Sequence, residues 1–271
     1  MDNTAQQTRA SQFRALHAGG EALILANIWD GVSARLVQQC GVKAIATTSG
    51  GVSWAHGYAD GGALPMEAHL ATVREIVRVV QLPLTVDLED GYSDDAEVVA
   101  ANVAEFIRAG AVGINIEDGA GTPQSLAAKI SAIREKAAAI EVNLFINVRT
   151  DVYLRGLVAP ERQAEETIAR AASYRQAGAD GLFVPGLAEL QALQGIAAAV
   201  QMPVNVMAWP GIANARQLYE HGARRISAGT ALMQAMLANA VAMTNEVLAT
   251  GSFEGLFVHA VGYGELNALL A

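Results

Sequence analysis

Three acidic side chains stand at the end of one short apolar run. Residues 82–86 are mostly apolar, and Asp87, Glu89 and Asp90 follow them directly, before Gly91. Such a run is typical of a buried strand. Because side chains alternate along a strand, we expect Asp87 and Glu89 to point the same way. Two neighbouring carboxylates repel each other, and a divalent cation is the usual reason to place them together. The stretch therefore predicts a metal site.

The elements that must position these carboxylates are eight apolar runs of strand length, which alternate with helix-periodic segments. Runs buried on both faces are typical of parallel sheets, and their number favours a (β/α)8 TIM-type barrel over an open doubly wound sheet. We predict one barrel domain over residues 1–271, with a lead helix at about 8–18 and a C-terminal helical extension at about 233–271. The turn after the first run lacks the glycine fingerprint of dinucleotide-binding proteins.

Composition restricts the classes of partner. Of the 271 residues, 52% are hydrophobic and 17% are charged, and the formal net charge is −9. That charge argues against nucleic acid or an anionic membrane as the main partner. The single cysteine cannot form an internal disulfide, and we find neither a transmembrane stretch nor a signal-peptide core. We therefore expect a cytoplasmic protein that acts on small molecules.

The polar residues at the ends of the predicted strands would meet at one rim, where barrels of this kind carry their active sites. Acids collected there would repel one another, and a hard divalent ion, Mg²⁺ or Mn²⁺, would offset that repulsion. Arg149 would bind a substrate carboxylate or phosphonate. We expect Asp87, Glu89 and Glu117 as metal ligands. The strand-end residues considered for substrate binding are Trp29, Thr48, Ser49, Gly50, Arg149 and Asn205.

The same set suggests a reaction. A 2-oxo acid would chelate the metal through its carboxylate and keto oxygens, and the metal would stabilise the enolate that forms when an adjacent bond breaks. The hydroxyl and N–H groups of Thr48, Ser49 and Gly50 would hold a second carboxylate. The site would thus support bond cleavage next to a 2-oxo acid, or the reverse condensation.

These motifs resemble the isocitrate lyase/phosphoenolpyruvate mutase superfamily, in order and spacing, from about Phe13 to about Met236. The matching segments are Asn27-x-Trp29-Asp30, Thr48-Ser49-Gly50, Asp60, Asp87-x-Glu89-x-Gly91-Tyr92, Glu117-Asp118 and Arg149-Thr150-Asp151. The resemblance implies a (β/α)8 barrel whose last helix is exchanged between subunits, and a homotetramer built as a dimer of dimers. It also implies Mg²⁺ at Asp87, Glu89 and Glu117. The substrate positions that it implies are Thr48, Ser49, Gly50, Asp60 and Arg149, and we assign catalytic roles to Asp60, Arg149 and Glu117.

One loop departs from the family pattern. Lyases of the superfamily carry a Lys-Lys-Cys-Gly-His loop after the fourth strand, whereas residues 117–123 here are short and the first lysine is Lys129. Residues 184–186 also lack the acid that lyases place there. Decarboxylation of an oxaloacetate-type acid needs only enolate stabilisation and a later proton donor, so we favour it over isocitrate or 2-methylisocitrate cleavage. The alternatives are a phosphonopyruvate-type P–C bond mutase or hydrolase, and a non-catalytic protein that binds 2-oxo acids.

Two features stay ambiguous in the sequence. Arg149 could bind substrate, or it could pair with Glu117 or Asp151 for structural reasons. The final long helix carries apolar residues at helical spacing, which could pack on its own barrel or on a partner subunit. These residues are Met233, Met236, Leu237, Ala240, Val241 and Val247.

Overall fold

A computed structural model of the protein describes residues 3–271. Nine parallel strands form one sheet in the order β1-β9-β8-β7-β6-β5-β4-β3-β2. The strands are β1 (Leu23–Leu25), β2 (Asn27–Ile28), β3 (Ile45–Thr47), β4 (Leu84–Asp87), β5 (Gly113–Glu117), β6 (Phe145–Arg149), β7 (Gly181–Phe183), β8 (Val204–Met207) and β9 (Ala223–Ser227). The predicted α/β barrel is confirmed.

The first predicted strand is broken into two short strands. β1 pairs with β9, whereas β2, one residue further along the chain, pairs with β3. The two pieces together stand where one barrel strand would, and the sheet closes through them. This break accounts for nine strands where the sequence predicts eight.

Helices alternate with the strands around the barrel. They are α1 (Asn3–Leu16), α2 (Gly31–Gln39), α3 (Ser49–Ala55), α4 (Met66–Val79), α5 (Ala96–Ala109), α6 (Pro123–Ala139), α7 (Gln163–Ala177), α8 (Leu190–Val200), α9 (Ala215–Glu220), α10 (Ala231–Thr250) and α11 (Tyr263–Leu270). Two 3-10 turns, Pro160–Arg162 and Glu254–Phe257, complete the regular structure of the described chain.

Three helices differ from the sequence expectation. α1 begins about five residues earlier than predicted and ends two residues sooner, at Leu16. α3 begins at Ser49, in a stretch whose small polar residues and glycines resemble a loop. α10 and α11 form the predicted C-terminal extension, which begins at Ala231, about two residues earlier than predicted. Among residues 3–271, no helix is long and apolar enough to span a membrane.

The lead helix α1 closes one end of the barrel. The Phe13 ring packs edge-on against Phe145, and the His17 ring stacks on Phe145 with a centroid distance of 4.0 Å. Burial lowers the pKa of His17 to about 3. The imidazole is therefore neutral and packs in the core like an aromatic ring. The rim formed by the C-terminal ends of the strands lies at the opposite end of the barrel.

Candidate active site

Asp87 is the last residue of β4, and its carboxylate is buried at the rim. Its backbone N–H donates to the Thr47 hydroxyl at 2.9 Å, and its Oδ2 accepts the backbone N–H of Ser49 at 3.3 Å. Its other oxygen, Oδ1, is buried without any hydrogen-bond partner in the described chain. Burial raises the pKa of Asp87 above its usual value. The side chain is thus anchored on one oxygen and open on the other.

Glu89 does not lie on the strand. Strand alternation therefore cannot orient it like Asp87, and the prediction made on that ground is wrong. β4 ends at Asp87, and the chain then enters a turn in which Glu89, Gly91 and Tyr92 have φ values of 52°, 87° and 67°. The turn still brings Glu89 near the other acids. Burial, Asp60 and Asp87 together raise the pKa of Glu89 to about 7.

The turn that carries Glu89 is held in this strained conformation by its surroundings. Left-handed backbone is unfavourable for a bulky residue such as Tyr92. The Tyr92 hydroxyl is hydrogen-bonded to Nδ1 of His69 at 2.7 Å, and its ring is nearly parallel to that of Phe106. The Glu117 N–H donates to the Glu89 carbonyl at 2.9 Å. The position of the Glu89 carboxylate is therefore set by tertiary contacts.

Glu117 and Arg149 form a buried ion pair at the ends of β5 and β6. Nη1 of Arg149 lies 2.8 Å from Oε2 of Glu117, while its Nε and Nη2 donate to the two carboxylate oxygens of Asp151 at 2.7 Å and 3.1 Å. Burial raises the pKa of Glu117 to about 8, against the opposing effect of Arg149. Both structural pairings considered for Arg149 are therefore present, and a substrate carboxylate would have to share this guanidinium.

The buried carboxylate of Asp118 holds the ends of β5 and β6 together. Its carboxylate accepts the Thr150 hydroxyl at 2.7 Å, the Asp151 N–H at 2.9 Å, Arg170 at 2.8 Å and the Tyr174 hydroxyl at 2.6 Å. A buried carboxylate with this many donors is fully satisfied. Asp118 therefore has a structural role, and it orients the segment that carries Arg149.

Asp60 and Gly50 approach each other closely over the rim. A Cβ atom added to Gly50 would lie 3.1 Å from Oδ2 of Asp60 and 2.9 Å from Cγ2 of Thr230, so glycine permits this approach. The exposed Asp60 raises the pKa of Glu89 and opposes ionisation of Asp87. Thr48 is the buried N-cap residue of α3, without a side-chain cap bond. The structure thus gathers Asp60, Gly50 and Ser49 around the carboxylates.

Two predicted substrate residues make no side-chain contact with these carboxylates among the contacts described. Trp29 is buried in a small apolar cluster with Val52, Leu64 and Met233. Asn205 is buried inside the barrel, where its Nδ2 donates to the Val206 carbonyl at 2.7 Å and its Oδ1 accepts Nδ2 of Asn147 at 3.1 Å. Their side chains make protein contacts in this structure, and their roles toward substrate stay predictions.

The residues at the rim fit a divalent cation that keeps much of its own hydration. Among the described residues, no three His, Cys, Asp or Glu side chains already converge into a complete metal site. Mg²⁺ usually takes only one or two carboxylates and fills its shell with water and substrate oxygens. The partnerless Oδ1 of Asp87 and the raised pKa values of Glu89 and Glu117 are what an acidic site made for a cation would show.

The short loop after β5 leaves space beside these acids. A cavity of about 300 Å³ lies between the turn after β4 and the loop before α6, and Glu89, Glu117 and Gly121 are among its lining residues. Lys129 also lines it, but its ammonium donates to the Asp90 carbonyl at 2.9 Å from a buried position on α6. The loop itself contributes no acid–base side chain beyond Glu117 and Asp118.

Three further polar residues inside the barrel are not among the site residues predicted from the sequence. Asn115, Asn147 and Arg225 are almost fully buried, and Oδ1 of Asn115 accepts hydrogen bonds from both Asn147 and Arg225. The signal was present, because an asparagine or arginine inside an otherwise apolar strand is unusual. The strand pattern alone predicts no function for these positions.

Comparison with known proteins agrees with this architecture. The family profile described as phosphoenolpyruvate phosphomutase matches residues 13–248. An uncharacterised protein of Mycobacterium tuberculosis is 36% identical over 262 residues, which cover 95% of each chain. The 2-methylisocitrate lyase of Escherichia coli is 33% identical over 63% of this chain and 60% of its own. The oxaloacetate decarboxylase of Pseudomonas entomophila is 27% identical over 81% of this chain and 78% of its own.

Solved structures share the fold. A Burkholderia cenocepacia protein provisionally assigned as a phosphonomutase is 41% identical, with a TM-score of 0.81, and the match covers 87% of this chain and 99% of the other. A phosphonopyruvate hydrolase solved with oxalate and Mg²⁺ has a TM-score of 0.84 at 19% identity, with 96% and 94% coverage. Both sequence and fold thus lead to one assignment: the chain belongs to the phosphoenolpyruvate phosphomutase family, within the isocitrate lyase/PEP mutase superfamily of lyases and mutases.

Proposed function

We propose that this protein is a Mg²⁺- or Mn²⁺-dependent carbon–carbon lyase for a 2-oxo or 2-hydroxy di- or tricarboxylate, with decarboxylation of an oxaloacetate-type acid favoured. The observation that carries the proposal is the buried Asp87 carboxylate, which has one oxygen without a partner and lies among acids whose pKa values are raised. Such a cluster needs a cation, and a cation beside Arg149 provides a site for an anionic chelating substrate.

The relatives support this chemistry. Both 2-methylisocitrate lyase and oxaloacetate decarboxylase occur among them, and the related hydrolase structure contains oxalate with Mg²⁺. Oxalate has the shape and charge of a 2-oxo acid enolate. Because the loop after β5 supplies no Cys, His or Lys, we favour decarboxylation, which requires the fewest catalytic side chains.

Each residue then has a defined role. Asp87 would hold the cation directly, with Glu89 and Glu117 beside it, and the bound cation would stabilise negative charge that develops on the substrate oxygens. Arg149 orients a substrate carboxylate with the part of its guanidinium that Glu117 now occupies. Ser49 N–H keeps Asp87 in place, and Glu117, whose pKa is about 8 without a cation, would give up its proton when the cation binds.

The test is a substrate screen with a matched site variant. We expect Mg²⁺-dependent pyruvate release from oxaloacetate above the rate with free metal, and loss of that release in Asp87→Asn. Isocitrate, 2-methylisocitrate, dimethylmalate and phosphonopyruvate are the comparison substrates. Calorimetry should show that Asp87→Asn abolishes Mg²⁺-dependent oxalate binding, whereas unchanged binding would refute the metal assignment. Oxalate binding without turnover of any substrate would favour the non-catalytic binding protein.

We also propose that α10 packs on a second copy of this chain, within a homotetramer. Only Met233, near the start of α10, is buried, while Met236, Leu237 and Val241 are exposed. Ile24 on β1 is 55% exposed, in the place where a barrel normally covers its first strand with the last helix. An apolar arm and an uncovered apolar strand on the same chain are complementary, which supports exchange of the arm between two copies.

A further inference from the structure

The interior of the barrel is polar at the level of Asp87. Branched apolar side chains usually fill this space. Here Asp87 on β4 is the register partner of Asn115 on β5, which in turn pairs with Asn147 on β6. Asn147 donates to Oδ1 of Asn115 at 2.9 Å and to Oδ1 of Asn205 at 3.1 Å. We call Asp87, Asn115, Asn147 and Asn205 the lumen ring.

Arg225 crosses the barrel to reach this ring. It starts from β9, and its Nη2 donates to Oδ1 of Asn115 on β5 at 3.2 Å, with three strands between β9 and β5. The guanidinium lies 5.9 Å from the centre of the Phe13 ring, which belongs to the helix that closes the bottom of the barrel. Arg225 is 1% exposed, and its Nε and Nη1 have no hydrogen-bond partner in the described chain.

No carboxylate neutralises this guanidinium directly. Arg225 is in none of the ion pairs formed among residues 3–271, and the one charge that clearly acts on it is that of Asp87. Burial lowers the pKa of Arg225 to about 9, and Asp87 opposes that effect. The side chain therefore stays positive at neutral pH. A buried, incompletely hydrogen-bonded cation costs folding stability, so a role limited to packing would be served better by an apolar residue.

We propose that Arg225 is a positioning residue for the active site, whose buried positive charge favours anionic ligands above Asp87. The inference rests on the proposed function, because the anionic ligand is the 2-oxo acid. The charge lies below the rim and touches neither cation nor substrate. It should therefore act with opposite sign on the two ligands, aiding the binding of an anion and opposing that of a cation.

Two substitutions test the buried charge of Arg225, one by removing it and one by neutralising it. Arg225→Met keeps much of the length and volume of the side chain. Asn115→Asp leaves Arg225 in place and pairs it with a carboxylate, and that carboxylate can still accept from both Arg225 and Asn147. Arg225→Lys is the control that keeps a positive charge. Thermal unfolding, Mn²⁺ binding and oxalate binding in the presence of saturating Mn²⁺ are measured on all four proteins.

We expect Arg225→Met and Asn115→Asp to weaken oxalate binding by about tenfold, with Mn²⁺ affinity unchanged or higher, because one charge is lost in a poorly screened site. Both variants should unfold about 2 °C or more above the wild-type protein, since an unpaired buried charge is removed or neutralised. Arg225→Lys should keep oxalate affinity within about threefold of wild type.

Parallel weakening of Mn²⁺ and oxalate binding would show a structural role and overturn the proposal. Unchanged oxalate affinity in both charge-removing variants would do the same. Should Arg225→Met fail to fold, Asn115→Asp alone decides, because it retains the arginine and its hydrogen bonds. Failure of the proposed function would look different, since the wild-type protein itself would then bind no oxalate with or without Mn²⁺, and both proposals would fall together.

Discussion

At the residue scale, the folded protein favours the protonated, neutral form of the rim acids. Asp87, Glu89 and Glu117 all have raised pKa values, with burial as the largest cause in each case. Ionising them in the folded protein is therefore harder than ionising them in the unfolded chain. A bound cation would reverse this balance, so metal affinity, proton release and folding stability would be linked.

Glu117 allows the sign of this linkage to be tested. Its pKa is about 8 in the folded protein against 4.5 for an ordinary glutamate, so between these values the folded state binds more protons than the unfolded state. Stability contributed by protonated Glu117 is thus present below pH 4.5 and is lost as pH rises through about 8. In metal-free protein, the free energy of unfolding should fall between pH 5 and pH 8.5, and the fall should be smaller by about 1 kcal/mol or more in Glu117→Gln.

Urea unfolding at the two pH values measures this difference. Glu161→Gln, a change at an exposed glutamate, is the matched control and should follow the wild-type protein. The fall in the free energy of unfolding between pH 5 and pH 8.5 should become more alike in wild type and Glu117→Gln when Mg²⁺ is added. Equal pH dependence in wild type and Glu117→Gln would show that Glu117 ionises normally.

Site residues at strand ends could be predicted because the fold makes strand ends converge. Asp87, Glu117 and Arg149 each end a strand, and periodicity alone located those ends within a residue or two. The sequence offers Glu117 and Asp151 as alternative partners of Arg149, but it cannot predict that both pair with it at once, since that depends on distances between the strand ends. Arg225 was missed because strand patterning assigns an inward residue to the core without asking whether the core is apolar.

At the scale of elements, the turn after β4 decides where Glu89 points. The sequence gives no sign that Tyr92 adopts a positive φ, because bulky residues rarely do so. Tertiary packing also accounts for the glycines within α3. A Cβ on Gly51 would lie 2.6 Å from Cγ2 of Thr48, so glycine stands there for close packing within a helix, although the pattern indicates a loop. Local propensity does not report such tertiary contacts.

The turn yields a prediction about Gly91. Its φ is 87°, and an added Cβ would lie 2.6 Å from Cγ1 of Val99 on α5. Gly119 also has a positive φ, of 52°, but its Cβ would meet nothing within 4 Å. We expect Gly91→Ala to lower the free energy of unfolding by about 1–3 kcal/mol more than Gly119→Ala, because only the first adds a clash to the backbone strain.

Urea unfolding gives both values, and Mn²⁺ binding reports on the position of Glu89. Gly91→Ala should also weaken Mn²⁺ binding, since the turn can relieve the clash only by moving. Adding Val99→Ala to Gly91→Ala should recover part of the lost binding. Similar costs for the two glycine substitutions would mean that the packing against Val99 is not limiting.

For the whole molecule, the sequence predicts the barrel but leaves the destination of its last helix open. Alternating strands and helices specify the barrel through local periodicity. The apolar spacing of α10 is equally compatible with packing on either of two barrels. The structure decides one part of this question, since Leu237, Val241 and Leu248 are exposed and do not cover their own barrel. That a second copy covers them stays a prediction.

The proposed exchange of α10 between two copies predicts reciprocal effects of two distant substitutions. Val241 is 61% exposed on the arm, and Ile24 is 55% exposed on the strand that the partner's arm would cover. A glutamate at either position would be buried without a partner in the assembled protein, so Val241→Glu and Ile24→Glu should each shift the protein toward monomers.

Ala242→Glu, on the neighbouring position of α10 and about 100° around the helix, is the matched control and should keep the wild-type mass. Light scattering coupled to size-exclusion chromatography measures the mass, and circular dichroism verifies that each variant is folded. A wild-type protein that remains monomeric at tens of micromolar would contradict the proposed exchange, as would folded glutamate variants that assemble as well as the control.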